Sequence, residues 1–252
     1  MPGWPRRMKA AAHRLLDPLI ALPGDIAARR ALAGLPDGTY RVPVDVPYVP
    51  QFASPEHIYA YIHEGFHGRD DPAWETFGAP DAETYDFWAR RVCALACLKM
   101  AIMAFSPAWQ PTLWNLVERG LAHNGYCAYE DGVLVDEGWF YPAIVALARE
   151  YGLQAVGQGY AAFHEICRLT RNGWLVAPSV TPELGEYGPL RRHGGHMVLV
   201  YGFTWRAGRC EHLLLHNPSG RFPDLQADAK IPAARFRRAY AHRLIAFRPD
   251  SR

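Results

Sequence analysis

Arg91-Val92-Cys93-Ala94-Leu95-Ala96-Cys97-Leu98-Lys99-Met100 passes from a charged residue into the longest apolar segment around a cysteine. From Cys93 to Phe105 the chain is almost continuously apolar, and Ser106-Pro107 stops it. That pattern predicts a buried helix with a cysteine in its first turn. A thiol placed there meets free backbone N–H groups and the positive end of the helix dipole, which favour its anion. About a hundred residues later, Gly194-Gly195-His196-Met197-Val198-Leu199-Val200-Tyr201-Gly202 predicts a strand opened by a histidine. Leu213-Leu214-Leu215-His216-Asn217-Pro218 predicts a second strand closed by an asparagine. With a turn at Arg206-Ala207-Gly208 the two strands pair, and the reversal brings His196 and Asn217 together.

Working outward, the helical signals come first and the strands later. Residues 1–40 predict an N-terminal helical extension, its short helices broken at Pro18 and Pro23. Residues 41–252 predict one domain, with a helical insertion at about 54–90. Val42 to Val49 alternates and carries prolines, so it reads as an edge strand. Ser54-Pro55 reads as an N-cap followed by a first helical residue, opening a helix that ends near Gly68. Further helices are expected from Ala82, over Thr112–Asn124, Tyr141–Tyr151, Phe163–Arg171 and Ala233–Arg238. Glu130-Asp131-Gly132 reads as a hairpin turn. Strands are expected at Gln154–Val156, Trp174–Val180, His196–Phe203, His212–His216 and Arg243–Phe247. Segregated helices and strands give an α+β fold.

Composition sets the outer limits. The chain has 252 residues, half of them hydrophobic, and a formal charge of +2. It can bury a sizeable core, and its charge balance points to neither nucleic acid nor a membrane surface as a partner. No apolar run is long enough to span a bilayer. Asp17 and Pro18 interrupt what would be the apolar region of a signal peptide. Five cysteines, an odd number, argue for a reducing compartment and hence a cytoplasmic protein.

Two metal sites compete with the thiol. His63-Glu64-Gly65-Phe66-His67 matches the pattern of a zinc metallohydrolase, in which two histidines share a helical face and the glutamate is the base. Glu75 and Glu83 are the nearest third ligands. Cys93, Cys97, His193 and His196 have spacings tolerable for a structural zinc, which would consume the thiol. Cys97 otherwise reads as a buried thiol one turn after Cys93. Cys127, Cys167 and Cys210 have no motif around them.

A further segment, Val46-Pro47-Tyr48-Val49-Pro50-Gln51, precedes Cys93, and Gly195-His196 and Asn217-Pro218 follow it. In this order the chain resembles the papain-fold cysteine peptidases related to the bacteriocin leader peptidases, family thirty-nine of the cysteine peptidases. The likeness spans roughly residues 44–248. It implies a papain-like fold with a helical half, an antiparallel sheet half and the site in the cleft between them. It also implies a bacterial peptide or amide hydrolase or acyltransferase that needs no cofactor or metal. In that site Cys93 is the nucleophile, His196 the general base and acid, Asn217 its orienter and Gln51 an oxyanion donor. The chain departs from the family in having Ala94-Leu95 where glycine and proline are usual, and in the long spacer between Gln51 and Cys93. The departure at Ala94-Leu95 motivates one alternative, a non-catalytic papain-fold peptide-binding module. The other is the zinc metallohydrolase at His63, Glu64 and His67.

Overall fold

A computed structural model describes residues 6–126, 129–130, 133–134 and 138–250. The helices are α1 (Arg6–Ile20), α2 (Leu22–Ala31), α3 (Ile58–His63), α4 (Ala82–Ala89), α5 (Cys93–Phe105), α6 (Leu113–Ala122), α7 (Tyr141–Glu150), α8 (Phe163–Arg171) and α9 (Ala233–Ala239). The strands are β1 (Gly38–Arg41), β2 (Tyr129–Glu130), β3 (Val133–Leu134), β4 (Leu153–Gly159), β5 (Leu175–Val180), β6 (His196–Met197), β7 (Leu199–Arg206), β8 (Arg209–His216), β9 (Ala229–Pro232) and β10 (Tyr240–Pro249). The expected turn at Glu130-Asp131-Gly132 lies partly outside the described residues, and Cys127 wholly so.

The main sheet is antiparallel in the order β4-β10-β5-β7-β8-β9. β6 pairs with the end of β5, and β1 takes the far part of the β7 edge that β5 leaves. Alternation along the strands divides the core into two layers. Leu175, Ala177, Leu199, Ile245 and Phe247 face α5, α6 and α7. Val176, Val198, Val200, Leu213 and Ala246 face α8 and α9 on the other side. The fold is thus α+β, and its sheet carries helices on both faces.

α5 is the central helix of the first layer. Leu95, Ala96, Cys97, Leu98, Ala101 and Ile102 are all fully buried, so nearly its whole circumference is in the core. α2 covers the second layer at one end. Asp25 there accepts from the buried His164 of α8 at 2.7 Å, and Arg29 pairs with the same carboxylate. Pro18 does not break α1. It sits in the last turn, so the one i→i−4 bond it forfeits lies at the end of the helix and little helix follows to be broken, and Pro23 opens α2 rather than interrupting a helix.

The expected edge strand at Val42–Val49 is not formed. The ladder ends where the Val42 N–H donates to the Tyr201 carbonyl. Pro43, Pro47 and Pro50 then remove the donors a strand needs. What remains is an extended strap laid over the end of β8, with the Val46 carbonyl bonded to His216 Nε2 at 2.8 Å.

The insertion also differs from expectation. Ser54 does not cap a long helix; its hydroxyl donates to Asp71 at 2.5 Å. Asp71 is buried and also accepts from Tyr61 (2.7 Å), Tyr85 (2.9 Å) and the Ala73 N–H (2.9 Å). These donors hold its carboxyl below the usual range against the opposing effect of burial. A buried anion with this many donors replaces local helix chemistry as the organiser of residues 54–90.

Candidate active site

Cys93 is the first residue of α5, after the sharp corner that α4 makes at Arg90 and Arg91. The thiol is partly exposed and lines a cavity of about 620 Å³ together with Ala94, Tyr141, Ser179, His196 and Met197. α5 and α7 form one wall and the sheet forms the other. Burial pushes the thiol up to about 11, against the backbone N–H groups of Met197 and Ala94 that stabilise its anion. The helix start therefore does not deliver a resting thiolate; desolvation outweighs it.

His196 enters the site from β6. Gly194 and Gly195 lead into it with φ of +67° and +90°, a backbone that side chains resist, so these two glycines are needed to aim the strand. The imidazole is buried, and Nε2 lies 2.8 Å from Asn217 Oδ1 and 3.3 Å from Ser219 Oγ. Asn217 Oδ1 also accepts from the Ser219 N–H at 3.1 Å. An amide oxygen facing Nε2 favours the tautomer that carries its proton there and leaves Nδ1 free to accept. Burial, and secondarily the charge of Arg221, pull His196 down to about 4, while the Asn217 bond acts the other way. Between these limits the resting pair is neutral thiol and neutral imidazole.

The Asn217 loop is built by close approach. Asn217 follows the last residue of β8, and its N–H donates to the Gln226 carbonyl at 2.9 Å. A Cβ on Gly220 would lie 2.0 Å from the Leu225 carbonyl oxygen, so only glycine fits that turn. Arg221, buried under the loop, donates to the carbonyls of Pro182 (2.9 Å) and Ser219 (2.8 Å) and pairs with Glu186 at 3.1 Å. Ser219 and Arg221 escaped the sequence reading. The only signal for them was a polar, glycine-containing run after Asn217-Pro218.

The structure thus joins His196 to Asn217 directly and puts Cys93 in the same cavity. Cys93 and His196 share no hydrogen bond, and Nδ1 has no partner among the described residues. Gln51, expected as oxyanion donor, is not among the residues that line the cavity. Its Nε2 donates to the Ala89 carbonyl at 3.0 Å, and its Oε1 is buried without a partner. Its backbone N–H donates to the Pro218 carbonyl at 2.9 Å, so Gln51 ties the Asn217 loop to the corner before α5.

The zinc reading fails on local geometry. α3 ends at His63, Glu64 is its C-cap and Gly65 turns with φ +72°, so His63 and His67 do not share a helical face. His63 instead approaches Glu186 at 3.3 Å. The four-ligand alternative is also not assembled: the half-buried His193 approaches Asp17 at 3.9 Å. Among the described residues no group of three histidine, cysteine, aspartate or glutamate side chains is arranged to hold a metal. No described helix is long and apolar enough to cross a membrane.

No protein-family model matches the chain. No curated protein matches it either. Among solved structures, the chain is similar to cysteine peptidases of the family its motifs resemble. One is a double glycine motif protease from an AMS/PCAT transporter, solved in complex with the leader peptide. It is 22% identical, with a TM-score of 0.40, over 62% of this chain and 84% of that one. A second is a family thirty-nine-like peptidase from Bacillus anthracis, 17% identical, with a TM-score of 0.44, over 64% and 90%. A third is the peptidase domain of Streptococcus ComA, a bi-functional ABC transporter involved in a quorum sensing pathway. It is 14% identical, with a TM-score of 0.39, over 63% and 92%.

Proposed function

We propose that the protein is a cysteine hydrolase or acyltransferase acting on a peptide or amide bond. The observation that carries this reading is the buried His196–Asn217 pair at 2.8 Å, opening into the cavity where Cys93 begins α5. Cys93 attacks the carbonyl carbon while its proton passes to His196 Nδ1, the ring nitrogen left without a partner. Charge builds on the carbonyl oxygen, and the free N–H groups of the first turn of α5 are the donors nearest the nucleophile. The intermediate collapses, the C–N bond breaks, and His196 returns the proton to the leaving amine. A thioester remains. Water, deprotonated by His196, releases the acid, or an incoming amine takes the acyl group. Asn217 holds the imidazole in the required tautomer throughout.

Because the resting pair is neutral, His196 acts as a general base rather than as the partner of a preformed thiolate. The test is Cys93 alkylation by iodoacetamide against pH, read by peptide mass spectrometry, in the wild-type protein and in His196→Ala. A base-assisted thiol reacts at a nearly constant rate above about pH 4, where His196 loses its proton. His196→Ala then shows only the steep rise of an unassisted thiol toward pH 11. A wild-type profile that already rises this way ends the catalytic reading.

One observation favours a second reading, a non-catalytic peptide-binding module: the thiol pushed up to about 11 beside Ala94-Leu95. On that reading Cys93→Ala keeps the protein's biological activity.

A further inference from the structure

β10 is irregular beside the cavity. Its register against β5 shifts between Tyr240 and Leu244, and His242 in that bulge has φ +54°. A non-glycine residue at positive φ costs energy, and bulges re-aim side chains. The side chain re-aimed here is Arg243. It is exposed, lines the cavity that holds Cys93, and makes no hydrogen bond or ion pair among the described residues. Its neighbour across the ladder is Gly159, with no atom within 4 Å of where a Cβ would stand, so the space beside the guanidinium is open. The other arginines of this half of the sheet are engaged: Arg248 on Gln154 and the Trp174 ring, and Arg237 on His164 and the Phe163 ring.

Two further features give Arg243 a role. Tyr141 lines the same cavity. Burial raises that phenol to about 12, and both the Arg243 charge and the Cys93 thiol act on it. Ser179 lies beside the phenol on the same cavity wall. Moreover, Arg90 on the same cavity is spent on Asp86 at 3.5 Å and on the Tyr61 and Phe66 carbonyls, whereas Arg243 is not. A cation that lines a cavity acts on a ligand there more strongly than one on open surface.

We infer that Arg243, with the Tyr141 hydroxyl, is an anion subsite beside Cys93, and that the substrate is an acidic peptide or amide with a carboxylate near the bond attacked. This inference rests on the cysteine-hydrolase reading for its chemistry, but the subsite itself can be tested apart from it.

The probe is a pair of alkylating agents of nearly equal size. Iodoacetate carries a carboxylate; iodoacetamide is neutral. Each forms an S–C bond at Cys93 and expels iodide. The quantity read is the ratio of their rates at Cys93, divided by the same ratio for N-acetylcysteine, so that thiol reactivity itself cancels. The wild-type ratio is expected about tenfold above the reference, as one charge-assisted contact allows. It should fall toward one in Arg243→Gln, recover in part in Arg243→Lys, drop several-fold in Tyr141→Phe, and shrink as salt is added. A wild-type ratio at the reference value, or one unchanged in Arg243→Gln, overturns the subsite. If neither agent labels Cys93, thermal stabilisation by N-acetylglutamate against N-acetylglutamine decides it. Equal stabilisation by the two overturns the proposal, as does a preference kept in Arg243→Gln. A raised ratio with no dependence of either rate on His196 ends the hydrolase reading and leaves the anion subsite standing.

Discussion

Two buried histidines sit at strand ends, His196 at the start of β6 and His216 at the end of β8, and their surroundings differ in one respect. His216 has both ring nitrogens committed to main chain: Nε2 to the Val46 carbonyl at 2.8 Å, and Nδ1 to the Asp228 N–H at 3.0 Å. His196 has Nε2 committed to Asn217 and Nδ1 to nothing described. Burial pulls both below the ordinary histidine range. Burial and a lowered pKa are therefore common to both rings. What sets His196 apart, and what its proposed role requires, is the ring nitrogen without a described partner beside the cavity that Cys93 lines.

The sharpest way to break this comparison is to exchange the roles. His196→Gln should lower the rate of Cys93 alkylation at pH 6 by about two to three orders of magnitude, with the midpoint of thermal unfolding at pH 8 little changed. A rate within a few-fold of wild type removes the distinction.

Acid titration comes next in size. His196 moves from the ordinary value of 6.5 in the unfolded chain to about 4 in the fold, so the unfolded state binds the extra proton. Stability is therefore full above pH 6.5 and is lost as pH falls through about 4, by about 3 kcal/mol for this group. Urea unfolding from pH 7 to pH 4 should show a slope that His196→Gln reduces. His216, shifted the same way, contributes to what remains.

His216→Gln should cost about 2 kcal/mol of stability, since it strands the Val46 carbonyl or the Asp228 N–H, and should leave alkylation within about threefold of wild type. Denaturant midpoints and peptide labelling read the two effects separately. The smallest effect expected is that of Gln51→Met. It strands the Ala89 carbonyl but also removes a buried amide oxygen that has no partner, so the two offset and the net loss of stability should stay within about 1 kcal/mol. Acylation of Cys93 by p-nitrophenyl acetate, which does develop an oxyanion, should change by less than about threefold. A hundredfold loss would restore Gln51 to the oxyanion role.

The parts of the molecule legible in the sequence are those whose chemistry is local. α5 starts at Cys93 and ends at Phe105, as expected, because an unbroken apolar run and a Ser-Pro stop need no help from elsewhere. α8 covers Phe163–Arg171 for the same kind of reason, and the β7–β8 reversal turns at Ala207-Gly208, both at positive φ. The misses are tertiary. Ser54 carries the signature of a helix cap, but a carboxylate 17 residues away takes its hydroxyl. The strap after β1 alternates like a strand, but its prolines leave it to be held by side chains from β8. Gln51 sits where the resemblance puts a catalytic amide, but with some forty residues between it and Cys93 it is drawn instead to the Ala89 carbonyl. The bulge that aims Arg243 has no signature in Tyr240-Ala241-His242-Arg243 at all.

The strap has one more consequence, for the order in which the protein comes into being. Tyr48 bonds the Asn217 carbonyl across 169 positions, Val46 bonds His216 across 170, and Gln226 bonds the Pro55 carbonyl across 171. Contacts so distant along the chain close late, after the local helices and the hairpin have formed. During synthesis, the loop that carries Asn217 cannot be pinned until residue 226 has emerged. Cys93 and His196 therefore both precede, in order of synthesis, the residue that holds the Asn217 loop in place.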